Sequence, residues 1–157
     1  MKSTMMAGHV IRRLNQLSTQ VFSRGMQEAG VKLTPVQFAA MDAIATYPGI
    51  DQAGVAARIA YDRATIGGVI DRLVQRGYVQ RSVREADRRA RVLNLTETGA
   101  TVLREVVPLV RDLQDVILEE LNADERDMFL ELAKRVIGVT AESEMPGAAV
   151  SGDRHAG

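Results

Sequence analysis

DRATIGGVIDRLVQRG at residues 62 to 77, followed at once by YVQRSVREADRRARVLNLT at 78 to 96, decides how the rest of the chain is read. In the first segment Ile66, Val69/Ile70 and Leu73 recur at helical period, Asp62 stands where an N-cap is needed, and Gly77 is placed to stop the helix. The second segment reads as two short strands, Tyr78 to Val83 and Arg91 to Leu95, flanking an arginine-rich loop from Arg84 to Arg91. A helix that buries one face and leads directly into a basic hairpin suits the grooves of duplex DNA.

Outward from this unit, the chain divides into further helices. His9 to about Glu28 has apolar residues near helical period and is stopped by Gly30. Thr34 caps a second helix with Pro35 in its first turn, running to Pro48-Gly49. Asp51 caps a short third helix with Val55 and Ile59 inward. Thr96 caps a long fifth helix reaching about Leu121, in which Pro108 is expected to make a kink or a break. Asn122-Ala123-Asp124 opens a sixth helix through Val136. From 138 to 157 the composition turns to Gly, Ala, Ser and charge, and a disordered tail is expected. The chain therefore divides into helical segments at 8–30 and 97–137 around a helix-and-hairpin region at 31–96, which the family resemblance given below reads as dimerisation helices around a DNA-binding domain.

Composition bounds the function. The 157 residues hold 46% apolar side chains, enough for a core, and only 4% aromatics, which argues against stacking platforms for single strands. There is no Cys, so disulfides and thiolate chemistry are excluded. No apolar run reaches the length that spans a bilayer, and MKSTMMAGHVIRRL lacks a signal peptide's apolar stretch, so a cytoplasmic protein is expected, with no membrane partner. The net charge is zero but segregated. Arg58 to Arg91 holds nine Arg against four acids, a balance of +5, whereas Glu97 to Arg135 holds ten acids against five bases, a balance of −5. Such segregation suits a basic face meeting phosphate and an acidic region kept from it.

In this order of elements, DRATIGGVIDRLVQRGYVQR at 62–81 and ADRRARVLNLTETG at 86–99 resemble the MarR (multiple antibiotic resistance regulator) family of transcriptional regulators. Asp87, Arg89, Leu95, Thr96 and Gly99 carry the wing signature. LTPVQFAAMDAI at 33–44 looks like the branch that controls aromatic-acid catabolism. The resemblance spans roughly residues 8 to 137. It implies a mainly α (α+β) fold, a winged helix-turn-helix with N- and C-terminal dimerisation helices, acting as a homodimer on a double-stranded operator. It further implies a repressor released by a small aromatic acid, or its acyl-CoA thioester, bound near the dimer interface. The terminal helices independently carry more apolar surface than one small domain buries, which points to a second copy.

The expected DNA-binding residues are Arg63, Ala64, Thr65, Gly67, Gly68 and Arg72 on the recognition helix, with Arg84, Asp87, Arg88, Arg89 and Arg91 on the wing. By the resemblance, Arg89 enters the minor groove and Asp87 orients a neighbouring Arg. Relatives often carry a polar residue and an Arg where this chain has Gly67-Gly68. The pair fits either close approach of the backbone to DNA or tight packing on a neighbouring helix. For the effector, His9 and Arg13 lie four apart and offer positive charge to a carboxylate. Ser18 interrupts an apolar stripe, and Phe38 and Met41 face it from the second helix. Plain helix-face solvation and core packing account for the same five residues. No catalytic residue, cofactor or metal site is expected: no phosphate-cradling loop follows a strand, and His9 and His155 are the only histidines. Two other function classes remain, an architectural DNA binder without ligand control and a small dimeric enzyme.

Overall fold

The computed structural model describes residues 6–84 and 87–139, with the backbone alone at 84 and 87–90. Among these residues six helices and one hairpin follow in the order α1 (Ala7–Glu28), α2 (Pro35–Thr46), α3 (Gln52–Arg58), α4 (Arg63–Gln75), β1 (Val79–Arg84), β2 (Asp87–Leu95), α5 (Glu97–Ile117) and α6 (Ala123–Ile137). The chain falls into two compact units, one ending at Ile117 and one beginning at Leu118.

Local chemistry sets most of the boundaries. Thr34 and Gln37 form a reciprocal capping box at the start of α2, with Pro35 in the first turn. Asp51 accepts from the Gly54 N–H at 2.7 Å, and Asn122 and Glu125 form a second capping box on α6. Gly30, Gly77 and Gly138 each take positive φ immediately after a helix. Of the expected tail, only Gly138 and Val139 belong to the described residues; the rest of that expectation lies outside them.

The core of the first unit gathers one face of each helix around the hairpin. Met26 of α1, Met41 and Ile44 of α2, Val55 of α3, Ile66, Ile70 and Leu73 of α4, Val79 and Leu93 of the strands, and Val106 of α5 are fully buried. Each such side chain contributes about 1.5–3 kcal/mol by leaving water. The strands pair antiparallel from Val79↔Leu95 to Val83↔Arg91, with an irregularity before Arg84↔Asp87. Ile50 adds a one-residue bridge to Leu93, so the segment between α2 and α3 is held to the hairpin.

Two expectations need correction, and of the kink or break expected at Pro108 the break is excluded. The second strand starts at Asp87 rather than Arg91, because backbone pairing does not require the apolar alternation by which strands are recognised in sequence. The fifth helix ends at Ile117, short of Leu121. It runs through Pro108 as one element. Proline there removes the N–H that the Arg104 carbonyl would accept, and both residues are exposed, so water can serve that carbonyl.

Ala60, between α3 and α4, is the one non-glycine among the described residues with positive φ, at 55°. The Tyr61 N–H bonds to the Ala56 carbonyl around it, the geometry in which glycine is favoured. An L side chain in this conformation costs about 1 kcal/mol. Ala60→Gly is therefore expected to stabilise the protein by up to about 1 kcal/mol, read as a higher urea midpoint at unchanged slope. A lower midpoint would show that the turn draws its stability from the Ala60 methyl.

Candidate nucleic-acid interface

The recognition helix owes its placement to its sequence period. Ile66, Val69, Ile70 and Leu73 are buried, which turns Ala64, Thr65, Gly68, Asp71, Arg72 and Gln75 outward. Its N-terminus is fixed by Asp62, whose carboxylate accepts from the Thr65 N–H at 2.8 Å and from the Thr65 hydroxyl at 2.6 Å. The Thr65 side chain, followed by its backbone N–H, holds the Asp62 carboxyl below the usual carboxylate range, so the cap stays ionised at neutral pH. The hydroxyl hydrogen of Thr65 is thereby engaged within the chain, and its lone pairs remain to accept from a ligand.

The nine arginines of the basic segment separate into groups. Arg58 lies over the Tyr47 ring, 3.5 Å from its centroid, and ties α3 to the end of α2. Arg76 donates to the Lys32 carbonyl, and Arg81 forms an ion pair with Asp71. Arg63, Arg72 and Arg91 are exposed and make no ion pair with a described residue. Arg91 and Arg81 border one cleft of about 470 Å³ with Asp51, Gln52 and Asp71, which joins α3, α4 and the hairpin. The side chains of Arg84, Asp87, Arg88 and Arg89 lie outside the described residues. Their backbone sits at the far end of the paired strands, beyond Val83↔Arg91.

The two helical glycines have room around them. A Cβ at Gly68 would meet nothing within 4 Å, and one at Gly67 would meet only Gln52 Nε2 at 3.3 Å. Tight packing on a neighbouring helix, one of the two readings from sequence, does not account for them.

None of the clefts formed by described residues is lined by all five residues expected around an effector. His9 is half-buried and Arg13 exposed, and His9 Nδ1 lies 3.2 Å from Arg12 Nη2. Arg13 borders a shallow depression on α1 with Val10, Leu14 and Leu17. Ser18 and Phe38 are half-buried, with the Phe38 ring 6.1 Å from that of Phe22, and Met41 is sealed in the core. A separate apolar cavity of about 380 Å³ opens between α2 and α5, lined by Ala45, Leu95, Ala100, Leu103, Val107 and Pro108, with Arg104 at its edge. The sequence signal for it was Pro108 in an apolar helix next to an arginine four residues earlier.

Comparison with known proteins agrees with this geometry. Residues 31–90 match the MarR family model. The HTH-type transcriptional repressor NicR of Pseudomonas putida is 34% identical over 134 residues, covering 85% of this chain and 84% of that one. The chain belongs to the MarR family. Among solved structures of the family, Bordetella bronchiseptica BpsR, whose DNA binding is regulated by 6-hydroxynicotinic acid, aligns with a TM-score of 0.81 at 27% identity, over 93% of this chain and 99% of that one. A mutant Escherichia coli MarR complexed with operator DNA aligns with a TM-score of 0.76 at 26% identity, over 83% and 92% of the two chains. The protein is a DNA-binding transcriptional regulator with a winged helix-turn-helix fold.

The MarR wing signature acquires a physical reason in this chain. The Thr96 hydroxyl donates to the Gly77 carbonyl and accepts from the Gly99 N–H at 3.0 Å, while the Thr96 N–H donates to the Tyr78 carbonyl. One threonine thus closes the recognition helix's terminal turn against the first turn of α5. Gly99 lies so close to the Tyr78 carbonyl that no Cβ fits between them. Sequence reasoning placed Leu95, Thr96 and Gly99 correctly as a motif but did not find the Asp71–Arg81 pair. Its signal was an acid on the outward face of α4 and an arginine just past the Gly77 turn.

Proposed function

We propose that the protein is a homodimeric, cytoplasmic repressor, released from a palindromic operator by a small aromatic carboxylate or its CoA thioester. The observation that carries the DNA part is the trio of exposed arginines, Arg63, Arg72 and Arg91, which make no ion pair with a described residue. In this reading α4 lies in the major groove, and Arg63, Ala64, Thr65, Gly67, Gly68 and Arg72 face base edges or phosphates. The wing, with Arg84, Asp87, Arg88, Arg89 and Arg91, follows the adjacent minor groove, where Arg89 inserts.

Homodimerisation is supported by apolar surface left open on both units. Val10, Ile11 and Leu17 of α1 and Val116 of α5 are more than 40% exposed. No residue of α6 is buried, and Met128, Leu132 and Val136 recur along one side of it. A second copy would place two recognition helices one DNA turn apart, on an imperfect palindrome of about 16–20 base pairs.

Arg89→Ala is expected to weaken operator binding by about 1–3 kcal/mol per wing while leaving the melting temperature nearly unchanged. The salt slope of binding should also fall by about one. Equal affinity of wild type and variant across a salt series would remove the wing from the mechanism.

The effector reading is supported by two features. The relative BpsR responds to a hydroxylated pyridine carboxylate. The apolar cavity between α2 and α5 has one guanidinium at its rim, as a small aromatic acid requires. His9, Arg13 and Ser18 of α1 with Phe38 and Met41 of α2 are proposed as effector contacts distinct from that cavity, with Arg13 as their carboxylate partner. Binding must favour a dimer geometry that does not fit the operator, or no release results. Arg13→Ala is expected to lower affinity for a benzoate or nicotinate probe about tenfold, the loss of one charged hydrogen bond, and to leave operator affinity unchanged. Unchanged probe affinity, measured by calorimetry, would eliminate Arg13 from the site.

A further inference from the structure

Gly67 and Gly68 occupy the middle of the helix that this family uses on DNA; among the described residues nothing crowds Gly68, and only the end of the flexible Gln52 side chain crowds Gly67. A helix keeps glycine where φ must be positive, where a neighbour leaves no room for Cβ, or where something from outside must come close. Neither residue has positive φ. The space over Gly68 is empty to 4 Å, and the only atom near Gly67 is the tip of the flexible Gln52 side chain. Both positions weaken the helix relative to alanine. Gly68 lies on the outward stripe between Thr65 and Arg72, one turn from each, while Gly67 is half-buried beside α3.

We infer that Gly68, supported by Gly67, sets the depth at which α4 seats in the major groove and thereby determines operator specificity. The inference rests on the reading that α4 enters that groove. That reading stands on the exposed arginines and on family membership, not on the glycines. A helix with its side chains nearly fills the width of the major groove, about 10–12 Å against about 12 Å. Removing side chains from the centre of the groove-facing stripe lets the backbone approach the base edges by about one carbon–carbon bond length, roughly 1.5 Å. The flanking arginines, Arg63 and Arg72, then reach bases or phosphates that a shallower helix would hold at a distance. The discrimination comes from shape: a base step that presents bulk beneath Gly68 is accepted, and a Cβ there collides with it.

The test uses the full chain and duplexes that the wild type enriches from a random-sequence pool. Gly68→Ala should raise the melting temperature by about 3 °C, because alanine is the better helix former. The same variant should bind the enriched duplex at least tenfold more weakly, with unchanged affinity for a scrambled duplex. Gly67→Ala should show the same signs with a smaller loss. A more stable protein that binds its operator less well cannot be explained by misfolding. The inference is overturned if Gly68→Ala binds the enriched duplex within twofold of wild type, or if it loses affinity equally for enriched and scrambled duplexes. If Arg72→Ala weakens binding in the same assay while Gly68→Ala does not, this inference alone fails. If the wild type enriches no sequence at all, the regulator reading fails and the inference with it.

Discussion

Gly99→Ala is expected to lower the stability of the protein by about 3 kcal/mol or more, with loss of operator binding at physiological temperature. The added methyl would fall on the carbonyl of Tyr78, which is backbone and cannot rotate away. Relief requires the first turn of α5 to lift from the end of α4. That movement strains the hydrogen bonds that Thr96 makes to Gly77, Tyr78 and Gly99, each worth about 1 kcal/mol. A domain of this size has about 5–15 kcal/mol in total. Gly25 supplies the contrast. The three atoms nearest a Cβ there are side-chain carbons of Leu113, the closest at 2.6 Å, and a leucine can change rotamer. Urea titration of Gly99→Ala should therefore show a much lower midpoint. A loss below about 1 kcal/mol would mean that the α4–α5 junction is compliant and that the wing signature has another basis.

That junction also shows what can be read from residues alone. Helix ends were legible wherever one residue decides them locally: Thr34-Pro35, Asp51, Asp62 and Asn122 at the starts, Gly30 and Gly77 at the stops. The buried stripe of α4 was legible because Ile66, Val69/Ile70 and Leu73 repeat at the helix period. Interactions between residues far apart in the chain left no such trace. The Ile50–Leu93 bridge, the Asp71–Arg81 pair and the Arg58–Tyr47 contact each join segments whose proximity exists only after folding. The early start of β2 was hidden for a different reason. Asp87, Arg88 and Arg89 are all charged, so no alternation marks the strand, and the pairing there is irregular, with Asp87 opposite Arg84 across a register shift. The basic segment likewise read as one block of nine arginines, while packing divides the six with described side chains into Arg58, Arg76 and Arg81, held by Tyr47, Lys32 and Asp71, and Arg63, Arg72 and Arg91, left exposed.

Leu132→Asp is expected to split the proposed dimer and to reduce operator affinity by two orders of magnitude or more. The α6 helix buries none of its own residues, and Leu132 lies half-exposed between Met128 and Val136, one turn away on either side. A helix of this length is marginal in water by itself, so its apolar side needs a partner surface. An aspartate placed in that surface must be desolvated without a counter-charge, which costs several kcal/mol in each protomer, doubled by symmetry. Each wing and recognition helix would remain intact, because their core is drawn from Met41, Ile66, Ile70, Leu73 and Leu93. A single half-site duplex should therefore be bound as before. The full palindrome should lose the advantage of two linked contacts, about 10²–10⁴-fold. Sedimentation and binding on both duplexes separate the outcomes. A dimer that persists in Leu132→Asp places the interface elsewhere than on α6. A monomer that still binds the palindrome with wild-type affinity would show that one recognition helix suffices.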